Sequence, residues 1–151
     1  MIHILNKQSL VLIFSALLGT ASSFGQTAIR KFEVEGPNVL LDFKEKTSNI
    51  KTVDVNGKNV AIVHQNGHIV IPSSALILGK NTISISFIAG NLSLNRNDDF
   101  LYTLLVPDRA STLFPCFDQP DLKATYKLNL SVPKEWSVLA GVDIVEKSEK
   151  R

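Results

Sequence analysis

The chain has 151 residues, a length that suits one domain and is too short for a domain together with a separate catalytic unit. Hydrophobic residues make up 44% of it, as is typical of a globular chain. The formal net charge is only +2, with lysines and acidic residues interspersed, so charge gives no reason to expect binding to nucleic acid or to an acidic membrane surface.

Residues 1–25 have the pattern of an export signal. Lys7 supplies a weakly positive start, residues 10–18 (LVLIFSALL) form an apolar core, and small residues dominate positions 20–25. Cleavage is expected after Ser23 or after Gly25, and we favour the second. A transmembrane anchor is the alternative, but it needs about 20 apolar residues, so we expect no stable membrane anchor. The pattern predicts a protein that is exported, periplasmic or extracellular, with residues 26–151 as its mature domain.

Cys116 is the only cysteine of the chain. An exported protein with one thiol has no internal disulfide, so its fold must depend on burial of apolar side chains. The sequence predicts that Cys116 is a small buried hydrophobe, because no nearby base would make it a nucleophile.

From Phe32 onward, apolar and polar residues alternate with a period of two, which is typical of strands with one buried face. The first predicted strands cover residues 38–45 and 50–55. The dipeptide Asn56-Gly57 that follows favours a two-residue hairpin, because a type I′ turn needs positive φ at both central positions. This turn pairs residue 55 with residue 58, and residue 53 with residue 60.

A second Asn-Gly dipeptide at residues 66–67 predicts another hairpin, which pairs Gln65 with His68 and His64 with Ile69. The two registers agree, since they place six apolar residues on one face. These residues are Val53, Val55, Val60, Ile62, Ile69 and Ile71. We therefore predict a three-stranded meander.

The rest of the chain alternates predicted strands with irregular segments. The strands are expected at residues 81–89, 101–106, 126–132 and 136–144. Pro72 ends the preceding strand, residues 73–78 are expected to form one helical turn, residues 90–99 a polar loop, and residues 108–125 an irregular segment. With no long amphipathic helix, the pattern predicts an all-β domain, an antiparallel sandwich or a saddle-shaped stack of sheets.

Residues 114–124 (FPCFDQPDLKA) cannot be explained by strand or helix periodicity. This stretch resembles the FPCFDEPxxKA signature in the N-terminal domain of M1-family zinc aminopeptidases, and residues 126–133 resemble the strand that follows it there. The residues that carry the resemblance are Phe114, Pro115, Cys116, Phe117, Asp118, Gln119, Pro120, Lys123 and Ala124.

The resemblance implies the β-domain of that family, incomplete at its C-terminus, in an enzyme that uses Zn²⁺ to remove N-terminal residues from peptide substrates. The family's HExxH zinc motif and GxMEN exopeptidase motif lie downstream of the signature, and neither occurs in these 151 residues. We therefore expect an inactive segment without a cofactor of its own. The alternative is a stand-alone β-sandwich that serves as a binding or scaffold module without peptidase activity.

Several polar residues are candidates for chemistry. His64 and His68 lie four apart, but they flank the second hairpin turn on opposite faces, so the sequence predicts no metal site there. Asp118, Asp121 and Lys123 could form an acid–base group. The resemblance instead implies a structural turn in which Asp118 accepts hydrogen bonds from backbone N–H groups or an arginine, with Phe114 and Phe117 as apolar anchors.

In the family, a glutamine in a TQFEPTDAR-like stretch ahead of the signature helps to hold the substrate amine. Aligning Pro107 with the proline of that stretch places Leu104 at the glutamine position and Val106 at the glutamate position. This chain therefore lacks the common amine anchor, and we predict no catalytic, substrate-binding or metal-binding residue in it.

Overall fold

The computed structural model describes residues 9–15, 27–35, 39–96, 100–122, 125–131 and 137–139. Strands dominate this part of the chain, and the helical structure in it consists of short 3-10 turns at Thr47–Asn49, Ser73–Ala75 and Ala110–Thr112. The strands are β1 (Ser9–Ser15), β2 (Thr27–Glu35), β3 (Val39–Asp42), β4 (Ile50–Val55), β5 (Lys58–Asn59), β6 (His64–Gln65), β7 (His68–Ile71), β8 (Lys80–Ile88), β9 (Leu94–Arg96), β10 (Leu101–Thr103) and β11 (Thr125–Ser131).

The strands form three sheets. The largest has the order β11-β1-β2-β8-β4-β5, the second has the order β3-β7-β6, and β9 pairs with β10. Neighbouring strands are antiparallel except for β1 and β11, which run parallel. The predicted all-β class is confirmed. Within the described ranges, no helix is long and apolar enough to cross a membrane.

Both Asn-Gly hairpins form in the predicted registers. At the first, Asn56 and Gly57 have φ values of 52° and 79°, and residue 55 pairs with residue 58. At the second, Asn66 and Gly67 have φ values of 50° and 77°, Gln65 pairs with His68, and residue 64 pairs with residue 69. Positive φ at both central positions is the geometry for which this dipeptide is favoured.

The prediction of a three-stranded meander is nevertheless wrong. The segment between the hairpins is not one strand, because β5 pairs with β4 in the six-stranded sheet and β6 pairs with β7 in the three-stranded sheet. Residues 60–63 connect the two sheets. The local turn chemistry fixed each register, while the sheet to which each hairpin belongs depends on β8 and β3, which lie far away in the sequence.

The core lies where these two sheets face each other. Alternate residues of strands from both sheets form it. The apolar residues of the period-two pattern therefore point to one shared buried layer. The buried cluster consists of Val39, Leu41, Phe43, Ile50, Val53, Val55, Ile69, Ile71, Ile83, Ile85 and Phe87. Ile62 was predicted on this face but is exposed, because it lies in the connection between the sheets.

Other predicted elements differ at their ends. β8 confirms the strand at residues 81–89, and β7 ends just before Pro72 as predicted. The polar loop at residues 90–99 contains β9, which sequence analysis missed, and the strand predicted at 101–106 ends at Thr103. Of the strand predicted at residues 136–144, only residues 137–139 are described, and they are not in a strand; the rest lies outside the described residues.

Candidate functional site

The stretch that resembles a family signature forms a turn at the edge of the core, and we name residues 114–122 the signature turn. Phe114 and Phe117 are partly buried and pack against the core, while Pro115 and Cys116 are buried. Gln119 and Pro120 are exposed. Lys123 and Ala124 lie outside the described residues.

The backbone of the signature turn pairs with β3. Asp42 N donates to Cys116 O over 2.7 Å, and Cys116 N donates to Asp42 O over 3.0 Å. The two residues thus form an isolated antiparallel bridge at the end of β3. The turn therefore covers part of the edge that β3 would otherwise expose.

The carboxylate of Asp42 adds side-chain contacts to this bridge. Its Oδ2 accepts hydrogen bonds from Asp118 N at 2.9 Å and from Gln119 Nε2 at 3.0 Å. Its Oδ1 lies 2.8 Å from His68 Nδ1. Asp42 is only 7% exposed, so the donors Asp118 N and Gln119 Nε2 compensate for the loss of water around a buried carboxylate.

Asp118 extends the same network in the other direction. Its Oδ2 accepts a hydrogen bond from the backbone N–H of Ser111, a fully buried residue, at 2.9 Å. Ser111 O in turn accepts from Lys44 N at 2.9 Å. Asp118 therefore has the kind of contact that the sequence analysis assigned to it, and the network links the signature turn to the chain just after β3.

A second polar cluster supports the 3-10 turn that precedes the signature turn. Ser93 Oγ lies 2.6 Å from Thr112 Oγ1 and donates to Arg109 O at 3.0 Å. Arg109 Nη2 donates to Leu92 O at 2.8 Å, and Gly90 N donates to Leu113 O at 3.0 Å. These bonds hold the chain after β8 against residues 109–113.

The histidines have separate structural partners. His64 Nε2 lies 2.8 Å from Phe43 O, its Nδ1 lies 2.9 Å from Thr47 Oγ1, and His68 faces Asp42. Across the described ranges, no three His, Cys, Asp or Glu side chains are grouped as ligands for a metal ion. Because a zinc site needs at least three such ligands, the described side chains do not fit one.

An apolar stripe lies on the chain ahead of the signature turn. It comprises Phe100, Tyr102, Leu104 and Val106, which alternate along the segment and are 51%, 47%, 52% and 84% exposed. The rings of Phe100 and Tyr102 lie 5.9 Å apart. Contiguous exposed apolar patches mark contact surfaces for a protein, a membrane or a ligand, or sites of aggregation.

The candidates named from the sequence did not include Asp42, although it binds the signature turn at Asp118 N and Gln119 Nε2. No sequence signal marked it, because period-two alternation places Asp42 on the face opposite to Leu41 and Phe43, where a polar residue is ordinary. Its partners lie about half the chain away, so the sequence pattern alone could not name them.

Several known proteins resemble this chain in sequence. The model of the Peptidase M1 N-terminal domain matches residues 38–151. Aminopeptidase N from Streptomyces lividans is 29% identical over 116 residues, which cover 70% of this chain and 13% of that protein. Rat glutamyl aminopeptidase is 46% identical over 41 residues, which cover 27% of this chain and 4% of that protein.

Solved structures show the same fold. An M1 zinc metallopeptidase from Deinococcus radiodurans, bound to a Tyr-Ser-Ala substrate, matches with a TM-score of 0.64 and 16% identity, over 95% of this chain and 36% of that one. Aminopeptidase A from Legionella pneumophila, in complex with aspartic acid, matches with a TM-score of 0.63 and 14% identity, over 82% of this chain and 15% of that one. The chain thus spans a small part of the length of these relatives.

Proposed function

Because the chain belongs to the M1 peptidase family, whose N-terminal domain it contains, we propose that it is the exported, non-catalytic N-terminal segment of a zinc aminopeptidase. In the whole enzyme, this segment flanks the cleft in which N-terminal residues are removed from peptides. The segment itself is inactive.

The signature turn is the observation that carries the proposal. Two carboxylates hold the turn: Asp42 accepts hydrogen bonds from Asp118 N and Gln119 Nε2, and Asp118 accepts one from Ser111 N. Both carboxylates therefore act as structural acceptors within the fold, which suits a rigid joint.

The apolar stripe supports the second half of the proposal. Its four residues lie ahead of the signature turn, separated from it by residues 107–113, and each exposes about half or more of its surface. The relatives are several times longer than this chain, so their further domains provide a partner of sufficient size. We assign the stripe to contact with the peptidase part of the parent protein.

Zinc chemistry is assigned to that peptidase part. The HExxH and GxMEN motifs do not occur in this sequence, and the described side chains do not fit a zinc site. The role of this segment is to position and enclose, and no step of hydrolysis is attributed to its residues.

The decisive experiment is to sequence the DNA downstream of the codon for Arg151 and to express the longer reading frame. The proposal requires an open frame that encodes GxMEN and HExxH, and aminopeptidase activity on amino-acid p-nitroanilides that the 151-residue chain lacks. A stop codon after Arg151, together with a stable chain that has no peptidase activity, would instead support the stand-alone binding or scaffold module.

A further inference from the structure

Strand β1 lies within the predicted export signal, residues 1–25. β1 covers Ser9–Ser15, which lie ahead of both predicted cleavage sites. In the structure it lies inside the six-stranded sheet, between β2 on one edge and β11 on the other. Removal of the signal would therefore take away an interior strand of the sheet.

β2 keeps its other neighbour when β1 is removed. It pairs with β8 along its whole length, from Thr27 opposite Ile88 to Glu35 opposite Lys80. It therefore stays in the sheet with one open edge, and a strand edge with unpaired N–H and C=O groups is a template for another strand.

β11 is already oriented to fill that edge. It runs parallel to β1, and β1 runs antiparallel to β2, so β11 and β2 are antiparallel to each other. Only one strand position, about 4.8 Å in the hydrogen-bonding direction, separates β11 from the vacated place. No reversal of the chain is needed.

The register of β11 also suits direct pairing with β2. Ile13 of β1 pairs with Ile29 of β2 on one side and with Asn129 of β11 on the other. If each residue of β11 takes the place of its β1 partner, Asn129 comes to lie opposite Ile29, and Tyr126 opposite Phe32. Because the shift is a whole strand without a slip along the chain, the alternation of β11 between the two faces is preserved.

We propose that β11 takes the place of β1 beside β2 when the export segment is removed, so that the unprocessed and the processed chain close the same sheet with different strands. The inference rests on the proposed export. Removal of β1 ends its ladders with β2 and β11, and β11 then forms an antiparallel ladder with β2, the slightly more stable type, in place of its parallel one.

A disulfide trap tests the inference. Ile29→Cys combined with Asn129→Cys places the two Cα atoms within disulfide reach only if β2 and β11 are neighbours. With β1 between them they are roughly 10 Å apart, beyond the limit of about 7 Å. Ile29→Cys combined with Ser86→Cys is the matched control, because these residues are paired in the structure whether or not β1 is present. Cys116 is buried and stays in place, and peptide mapping identifies the linked pair.

Two forms of the chain are compared after export from a Gram-negative host. Ser23 is the last residue before one predicted cleavage site and the third before the other, so Ser23→Phe blocks both, while Ser22→Phe leaves the small residues that both sites need. We expect the 29–129 disulfide in most of the processed chain and its absence from the Ser23→Phe chain, with the 29–86 disulfide in both.

A processed chain that forms the 29–86 disulfide without the 29–129 disulfide would overturn the inference, as would a 29–129 disulfide of equal yield in both forms. The intact mass of the exported chain separates this failure from that of the proposed function. A chain that keeps residues 1–25 without any blocking substitution contradicts the export proposal, and the inference falls with it.

Discussion

Asn56 Nδ2 donates a hydrogen bond to Asn81 Oδ1 over 2.9 Å, although 25 residues separate the two. In the reverse direction, Asn56 Oδ1 accepts from the backbone N–H of Thr82 at 2.9 Å. The first hairpin turn is thus bound to the start of β8 by side chains as well as by the strand ladder. Asn56 therefore has a role in the fold beyond its own turn.

We expect Asn81→Leu to lower the free energy of unfolding by about 3 kcal/mol, because several hydrogen bonds disappear at a buried site. Asn81 is fully buried, its Oδ1 also accepts from Ile77 N, and its Nδ2 donates to Ile77 O and Gly79 O. Urea unfolding followed by circular dichroism measures the change. The control is Asn59→Leu, at an exposed position, which should cost less than about 0.5 kcal/mol; equal losses for the two variants would contradict this role of Asn81.

Asp42→Asn should destabilise the protein by about 2 kcal/mol, because the neutral amide places a donor where the carboxylate accepts hydrogen bonds. We expect the signature turn to be affected first, with faster backbone hydrogen exchange at Cys116 and Asp118. Asp54→Asn is the matched control, since Asp54 lies on β4 and is half-buried. An Asp42→Asn chain with unchanged exchange at both positions would show that the carboxylate does not hold the turn.

Gly90→Ala should be more harmful than its size suggests. A methyl group at this position would overlap Thr112 O and the carboxylate of Glu45, so backbone and side chain must both move, at a cost of about 3 kcal/mol or more. At Gly57, a methyl group meets open space, and only its positive φ opposes the change, at about 1 kcal/mol. A thermal melt that ranks Gly57→Ala as the more destabilised variant would contradict the close packing at Gly90.

The 151-residue chain should aggregate through the apolar stripe or unfold with a shallow transition, because the stripe is exposed to solvent. We expect Tyr102→Ser combined with Leu104→Ser to lower light scattering several-fold at equal protein concentration. Leu78→Ser is the control, because Leu78 is a fully exposed apolar residue that lies outside the stripe. A wild-type chain that stays monomeric and unfolds in one sharp transition would show that the domain needs no covering partner, and would favour the stand-alone module.

Purified processed chain should contain no stoichiometric zinc. His64 and His68 contact different groups, and a catalytic zinc site needs three protein ligands around one metal ion. Elemental analysis after dialysis measures the zinc content, with the His64→Ala, His68→Ala double variant as a control for adventitious binding. One tightly bound zinc ion per wild-type chain, lost in the double variant, would contradict the prediction.

Local turn chemistry was the most predictable part of the fold. Asn-Gly needs positive φ at two successive residues, and few structures other than a tight hairpin supply this, so both turns and both registers could be derived from residues 53–70. β8 was predicted as well, since residues that alternate between apolar and polar over such a length favour a strand over a helix. The assignment of the hairpins to different sheets could not be predicted, because it depends on contacts with β3 and β8.

The signature turn was only partly predictable from the sequence. The resemblance of residues 114–124 identified the family, but it did not show what holds the signature turn in place. Asp42 and Ser111 supply those contacts, and neither lies within the signature. A motif reports the residues that a family shares, whereas a buried hydrogen bond requires a partner at any distance along the chain.

The separation between Asp42 and the signature turn also has a consequence for folding. The hydrogen bonds from Asp118 N and Gln119 Nε2 to Asp42 join residues that are 76 and 77 positions apart. Closing so long a loop costs more chain entropy than closing either hairpin, so these contacts are favourable only after the intervening strands have shortened the effective loop. The signature turn is therefore expected to be among the last parts of the domain to become protected during refolding. In a pulse-labelling experiment, the amide of Asp118 would report the moment at which the signature turn docks against β3.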